Sequence, residues 1–270
     1  MGFQRDVNKI YIPPIVFGPA LCQLQDATGE PYEGIIESVD RYSVIYQVVP
    51  DKLFDLLPVG YESKDAVLII SVEVVSNIAW LANRGLVRVE VQTPVFYKGK
   101  SGVFNMVTWE NNGDSILCGR DIFGMPKIYA RIDYSNQGSV FEASAASWEF
   151  DFLSFTVDKE KPPGNAQACE ELWRQQYFQN TFRMTYRPMT GDGFTKKDAC
   201  YTTVVETDKI KAKPQLCSGF AKWSYPQFED TPTQYRILQA LSDLTPQQVL
   251  GAGYISFDRM SDGIQQQILD

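Results

Sequence analysis

The chain has 270 residues, a formal net charge of −8 and no histidine. The length is ample for one β-rich domain with a sizeable core. The missing histidine excludes every His-based triad, His metal site and His general acid, and the anionic balance lacks the basic footprint that nucleic-acid binding requires.

Protons must then be moved by Asp, Glu, Lys, Tyr, Cys or water. The five cysteines, Cys22, Cys118, Cys169, Cys200 and Cys217, are widely spaced and form no CxxC pair. Free thiols in a reducing compartment are expected, not a zinc ribbon or a disulfide framework. No metal or cofactor is expected. Met1 to Pro14 lacks the apolar run of a signal peptide, and Ala66 to Ala82 is too short and too polar to span a membrane. Cytoplasmic residence is the default expectation, with no nucleic-acid or membrane partner.

Ile10 to Leu24 holds three prolines and reads as an extended arm that enters the fold or reaches a neighbouring subunit. Tyr42 to Val49 reads as a strand, and Asp51 to Leu57 as a short helix between Pro50 and Pro58. Val67 to Val75 is a central strand. Gly85 to Tyr97 alternates, with Val87, Val89 and Val91 on one face and Arg88, Glu90 and Gln92 on the other; that second face meets solvent in an ordinary sheet and lines the interior in a small barrel. Gly102 to Trp109 is a strand, Asn112-Gly113 a hairpin turn and Ser115 to Cys118 the next strand. Ile128 to Tyr134 alternates again, and Gly138 to Phe155 carries a pair of strands. Lys159 to Gly164 is a Pro-rich connection. Gln167 to Asn180 is the helix expected in the second half, with Cys169, Leu172, Trp173 and Phe178 on its packed face. Strands are expected at Phe182 to Pro188, Tyr201 to Asp208, Phe220 to Phe228 and Gly251 to Phe257. A Gly-rich turn is placed at Met189 to Asp198, a bend at Lys209 to Pro214, and a helical turn capped by Thr245 at Leu244 to Pro246. Many short strands with few helices argue a sheet closed on itself or two packed sheets. The chain is expected to be a single domain over residues 1–270, with 1–24 as the arm.

The segment Gly119-Arg120-Asp121-Ile122-Phe123-Gly124-Met125-Pro126-Lys127-Ile128 stands apart. Pro126 fixes its own φ and biases Met125 toward an extended conformation. Gly124 permits a turn or a close approach. Lys127 is thus held on a stiff segment between apolar neighbours, where desolvation disfavours its ammonium. A neutral amine attacks carbonyls and forms a Schiff base.

This order of residues resembles the signature of the acetoacetate decarboxylase family, Gly-Arg-Glu, four residues, Pro-Lys. The resemblance implies a cone-like, mostly antiparallel closed β-barrel with a few peripheral helices, a homo-oligomer, and a Schiff base on Lys127. Asp121 stands where the family usually has Glu. Ile128 stands where true acetoacetate decarboxylases carry a second lysine. Aligning Thr93-Pro94-Val95 with the family's Ile-Pro-Val puts Arg88 on the family's catalytic glutamate, with Glu90 two residues along the same face.

The candidate catalytic residues are therefore Lys127, Glu90 and Asp121. Arg88, Arg120, Arg41, Phe123 and Met125 are the candidate substrate-binding residues. Arg88 is expected to hold a substrate carboxylate, or to supply the positive field that the second lysine would give. The expected function is a Schiff-base lyase acting on a 2-oxo or 3-oxo acid or a related carbonyl compound. Aldol or dehydration chemistry stands ahead of acetoacetate-type decarboxylation. The rival is a non-covalent small-molecule-binding barrel, or a cyclase or isomerase, in which Lys127 is no nucleophile.

Overall fold

The structure is a computed structural model that describes residues 4–63, 65–171, 180–186, 200–205, 213–260 and 266–269. Its frame is built from long strands rich in β-branched residues: β1 (Ile35–Val48), β3 (Val67–Ile78), β4 (Arg84–Tyr97) and β5 (Lys100–Glu110). They pair antiparallel in the order β5-β4-β3-β1, and β1 continues to β13 (Pro246–Met260). From β13 the sheet runs on through β12 (Gln215–Trp223), β9 (Phe150–Asp158) and β8 (Val140–Ser147) to β7 (Arg131–Gln137). Beyond β5 come β10 (Asn180–Tyr186), β11 (Cys200–Val205) and β14 (Gln266–Leu269). The two-residue β2 (Tyr61–Glu62) pairs with β4, and β6 (Lys127–Tyr129) pairs with β5. Among the described residues this is one mixed 14-stranded sheet rolled into a nearly closed barrel, as the sequence led us to expect. None of the described helices is long and apolar enough to cross a membrane.

The two faces of the central strands are both buried but differ in kind. Tyr42, Val44, Val72, Val89, Val91 and Trp109 point into the main apolar core with Phe141, Phe152 and Phe155. The alternate positions carry charge in the middle and apolar residues at both ends. Val39, Val75 and Leu86 join one small cluster, and Ile45, Val67 and Ile69 another. A polar layer therefore lies between two apolar ones. The N-terminal arm packs onto the first cluster through Ile10, Ile12, Cys22 and Leu24, so it enters the chain's own fold. Gln25 ties the arm by bonding Ile10 and the carbonyl of Ala20.

Three local expectations are overturned. Asn112-Gly113 makes no hairpin, and Ser115 to Cys118 is no strand: α2 runs over Gly113–Phe123, and the Asn112 side chain caps it by accepting from Ser115 N–H at 2.9 Å. β5 and β6 are parallel, and parallel neighbours need a crossover, which α2 supplies. Leu244 to Pro246 is not a helical turn; Pro246 opens β13. The helix there is α3 (Tyr235–Asp243), whose Leu238 and Leu241 enter the main core. The short helix expected over Asp51 to Leu57 is α1 (Pro50–Phe54), which ends three residues early. Phe220 to Phe228 is strand only as far as Trp223, the end of β12. Residues 166–171 begin the helix expected over Gln167 to Asn180, with Cys169 buried, while Asn180 opens β10; residues 172–179, the Gly-rich turn from Met189 and most of the Lys209 to Pro214 bend lie outside the described residues. Cys22, Cys118, Cys169 and Cys217 are buried free thiols.

Candidate active site

The polar layer is a lattice set by strand register. Arg41 on β1 lies opposite Glu73 on β3, Glu73 opposite Arg88 on β4, and Arg88 opposite Glu110 on β5, so charge alternates across four strands. The next row along reads Ser43, Ser71, Glu90, Thr108 and Lys127. Arg88 Nε lies 2.7 Å from Glu73, its Nη2 2.9 Å from Glu37, and its Nη1 3.9 Å from Glu110. Arg41 reaches Glu73 at 3.1 Å, Glu90 at 2.8 Å and Gln92 at 3.2 Å. Arg259 pairs with Glu37 from β13. Arg183 enters from β10, buried and within the field of Glu90. Among the described residues four arginines thus face four glutamates before Lys127 is counted.

Lys127 is 1 % exposed. Its Nζ donates to both oxygens of Glu110, at 2.9 and 3.2 Å, and to the hydroxyl and carbonyl of Ser115, at 3.1 and 3.3 Å. The motif around it is a helix end, a turn and a strand start. Gly119 has no side chain because the lysine stem occupies that place: a Cβ there would meet Lys127 Cδ and Cε at 2.7 Å. Gly124 closes α2 in the left-handed region (φ 60°), its N–H bonding the Arg120 carbonyl, and a Cβ there would overlap Thr185 on β10. Arg120 Nη1 then grips the Lys127 carbonyl at 2.7 Å.

Burial pushes the Lys127 amine below its ordinary range; Glu110 opposes this and Arg88 adds to it. Burial alone would raise the Glu73 carboxyl, but Arg88 and Arg41 outweigh it and hold the group down at about 2. Arg259 and Arg88 outweigh the burial of Glu37 in the same way and lower its carboxyl. Burial brings Arg183 down to about 10 against the pull of Glu90.

The candidates divide clearly. Lys127, Arg88, Glu90 and Arg41 meet in the lattice. Asp121 is exposed on α2 and stands outside it. Arg120 acts on the backbone of Lys127. Phe123 is buried at the end of α2 and Met125 is half-buried beside it. The guanidinium of Arg88 is engaged by glutamates, which is not the open fork expected for a substrate carboxylate. The sequence reading missed Glu37, Glu73, Glu110 and Ser115, the partners that define the environment of the amine. Their one visible signal is a lone charge in a mostly apolar strand, as Glu73 is in Val67–Ile78.

Pro126 and Ile128 point the other way. They line a largely apolar pocket of about 560 Å³ with Phe104, Arg120, Ile237 and Leu241, on the far side of β6 from the amine. A lysine at position 128 would therefore not neighbour Lys127; burial and Arg88 do the tuning.

A rolled, mostly antiparallel sheet with a buried lysine at the start of a crossover strand defines the architectural class. The chain belongs to the acetoacetate decarboxylase (ADC) family, whose model matches residues 28–266. No curated protein sequence matches it. Solved structures share the fold at low identity. Acetoacetate decarboxylase from Legionella pneumophila subsp. pneumophila str. Philadelphia 1 superposes with TM-score 0.68 at 15% identity, over 89% of this chain and 88% of that one. The enduracididine biosynthesis enzyme MppR, complexed with the condensation product of pyruvate and imidazole 4-carboxaldehyde, gives 0.65 at 13%, over 86% and 87%. An acetoacetate decarboxylase-like enzyme from Sphingomonas wittichii RW1 gives 0.66 at 16%, over 86% and 92%.

Proposed function

We propose that this chain is a lyase that forms an iminium between Lys127 and the carbonyl carbon of a 2-oxo or 3-oxo acid. The observation that carries the reading is a fully buried primary amine whose ammonium is disfavoured by burial and by Arg88. Such an amine is a nucleophile, and the iminium it forms is an electron sink for charge developing at the adjacent carbon. Aldol addition, dehydration and decarboxylation all draw on that sink.

Aldol or dehydration chemistry is the favoured outcome. Both need carboxylates to move protons near the iminium; Glu110 contacts the lysine, and Glu90 lies in the same row of the lattice with Thr108 between it and Lys127. The pyruvate–aldehyde condensation product named for MppR is chemistry of this kind, on a shared fold. In the second reading Lys127 is a counter-charge in a non-covalent barrel; the four acceptor contacts of its Nζ favour that role.

Trapping separates the two. Pyruvate or acetoacetate with borohydride is expected to add the reduced ligand mass to Lys127 and to leave Lys127→Ala unlabelled. No labelling with any oxo acid, or labelling that persists in the variant, overturns the proposal. Brisk Lys127-dependent CO₂ release from acetoacetate would instead put decarboxylation first.

A further inference from the structure

Glu110 closes β5 with its side chain wholly buried, and both its oxygens accept from Lys127. The other acceptors on the amine are a backbone carbonyl and a serine hydroxyl, neither of which takes up a proton readily. The remaining carboxylates are occupied elsewhere: Glu37 by Arg88 and Arg259, Glu73 by Arg88 and Arg41, Glu90 by Arg41. The nearest guanidinium to Glu110, that of Arg88, stays 3.9 Å away, beyond a hydrogen bond. Glu110 is thus the one described carboxylate in direct contact with the amine and held by no arginine hydrogen bond.

We propose that Glu110 is the acid–base partner of Lys127 in imine formation, a role that rests on reading Lys127 as the nucleophile. Glu110 first takes a proton from the ammonium, giving a neutral amine and a carboxylic acid. The nitrogen lone pair forms the C–N bond while the carbonyl π pair moves to oxygen, which takes the proton from Glu110. The carboxylate next removes a proton from the new N–H₂⁺ centre, leaving a neutral carbinolamine. Glu110 finally returns that proton to the hydroxyl, the C–O bond breaks, and the nitrogen lone pair closes the C=N⁺ bond. One water leaves and Glu110 ends as it began. The charged and titratable groups around the amine are Glu110 on β5, Arg88 on β4, Glu37 on β1, Glu73 on β3 and Cys118 on α2.

The test compares two readouts in Glu110→Gln. The carboxylate helps to hold the proton on Lys127, so its loss should move acylation of Lys127 by acetic anhydride to lower pH. Imine formation should nevertheless slow by about 10²–10⁴-fold, read as the initial rate of borohydride trapping with pyruvate. A readier nucleophile that makes imine more slowly is not what a merely structural glutamate would produce. Formate should restore part of the trapping rate of Glu110→Ala. Trapping of folded Glu110→Gln at the unmodified rate, or no response to formate, overturns the proposal. If neither variant folds, the solvent deuterium effect on trapping by the unmodified protein decides: a marked slowing supports the proton transfers, and none overturns them. If the unmodified protein is never trapped, the nucleophile reading itself has failed, which is a different result from a variant trapped at full rate.

Discussion

The central strands present two buried faces that obey different rules. On one, Val44, Ile70, Val72, Val89 and Val91 meet aromatic rings from β8 and β9. That face rests on apolar burial, which is non-directional and tolerates any side chain of suitable volume. On the other, Arg41, Glu73, Arg88 and Glu110 meet in register, and each needs its neighbour. Buried charges repay their desolvation only with close partners, and a well-packed apolar replacement is often as stable. The apolar face holds the barrel together. The charged face adds little net stability for its burial, and clusters of this sort mark functional sites.

That contrast can be broken most sharply at Arg88. Arg88→Met strands Glu37, Glu73 and Glu110 without their shared cation and should cost about 3–5 kcal/mol, read as a fall in the urea midpoint. Acid should come next, and should act on the charged face alone. The Glu73 carboxyl lies near 2 in the fold against an ordinary 4.5, so the unfolded chain takes up its proton first as pH falls. The stability it contributes is present in full above about 4.5 and drains away as pH falls toward 2; melting curves over that range should show it, and a flat profile would contradict it. The mildest change belongs to the apolar face. Ile70→Val removes one methylene group from a fully buried side chain and should cost about 0.5–1.5 kcal/mol. The same loss should appear at pH 3 and pH 7, because no charge is involved.

The alternation of Gly85 to Tyr97 was legible; which side of the wall its charged face would meet was not, and the fold buries it. Lys127 and its turn were legible too, through Pro126 and Gly124. Strand register was not. Nothing local to Glu37, Glu73 or Glu110 says that they converge, because the contacts span up to 222 positions, as between Glu37 and Arg259. α2 was misread because Ser115 to Cys118 is too short to separate a strand from a helix, and Asn112-Gly113 serves a helix cap as readily as a hairpin. The role of Gly119 could not be read at all. Its empty Cβ position is filled by a side chain eight residues on, and only the folded turn brings the two together.

The turn that joins α2 to β6 also works as a gauge of length. Met125 and Pro126 alone separate the Gly124 cap from Lys127. A strand has two sides, and consecutive residues take opposite ones. One residue more or fewer in this span would swing the amine out of the charged lattice and into the oily slot beside Ile237 and Leu241. Substitutions in the lattice can weaken the site by degrees. A change of spacing in the turn is all or nothing, because it decides which of two solvents the same lysine meets.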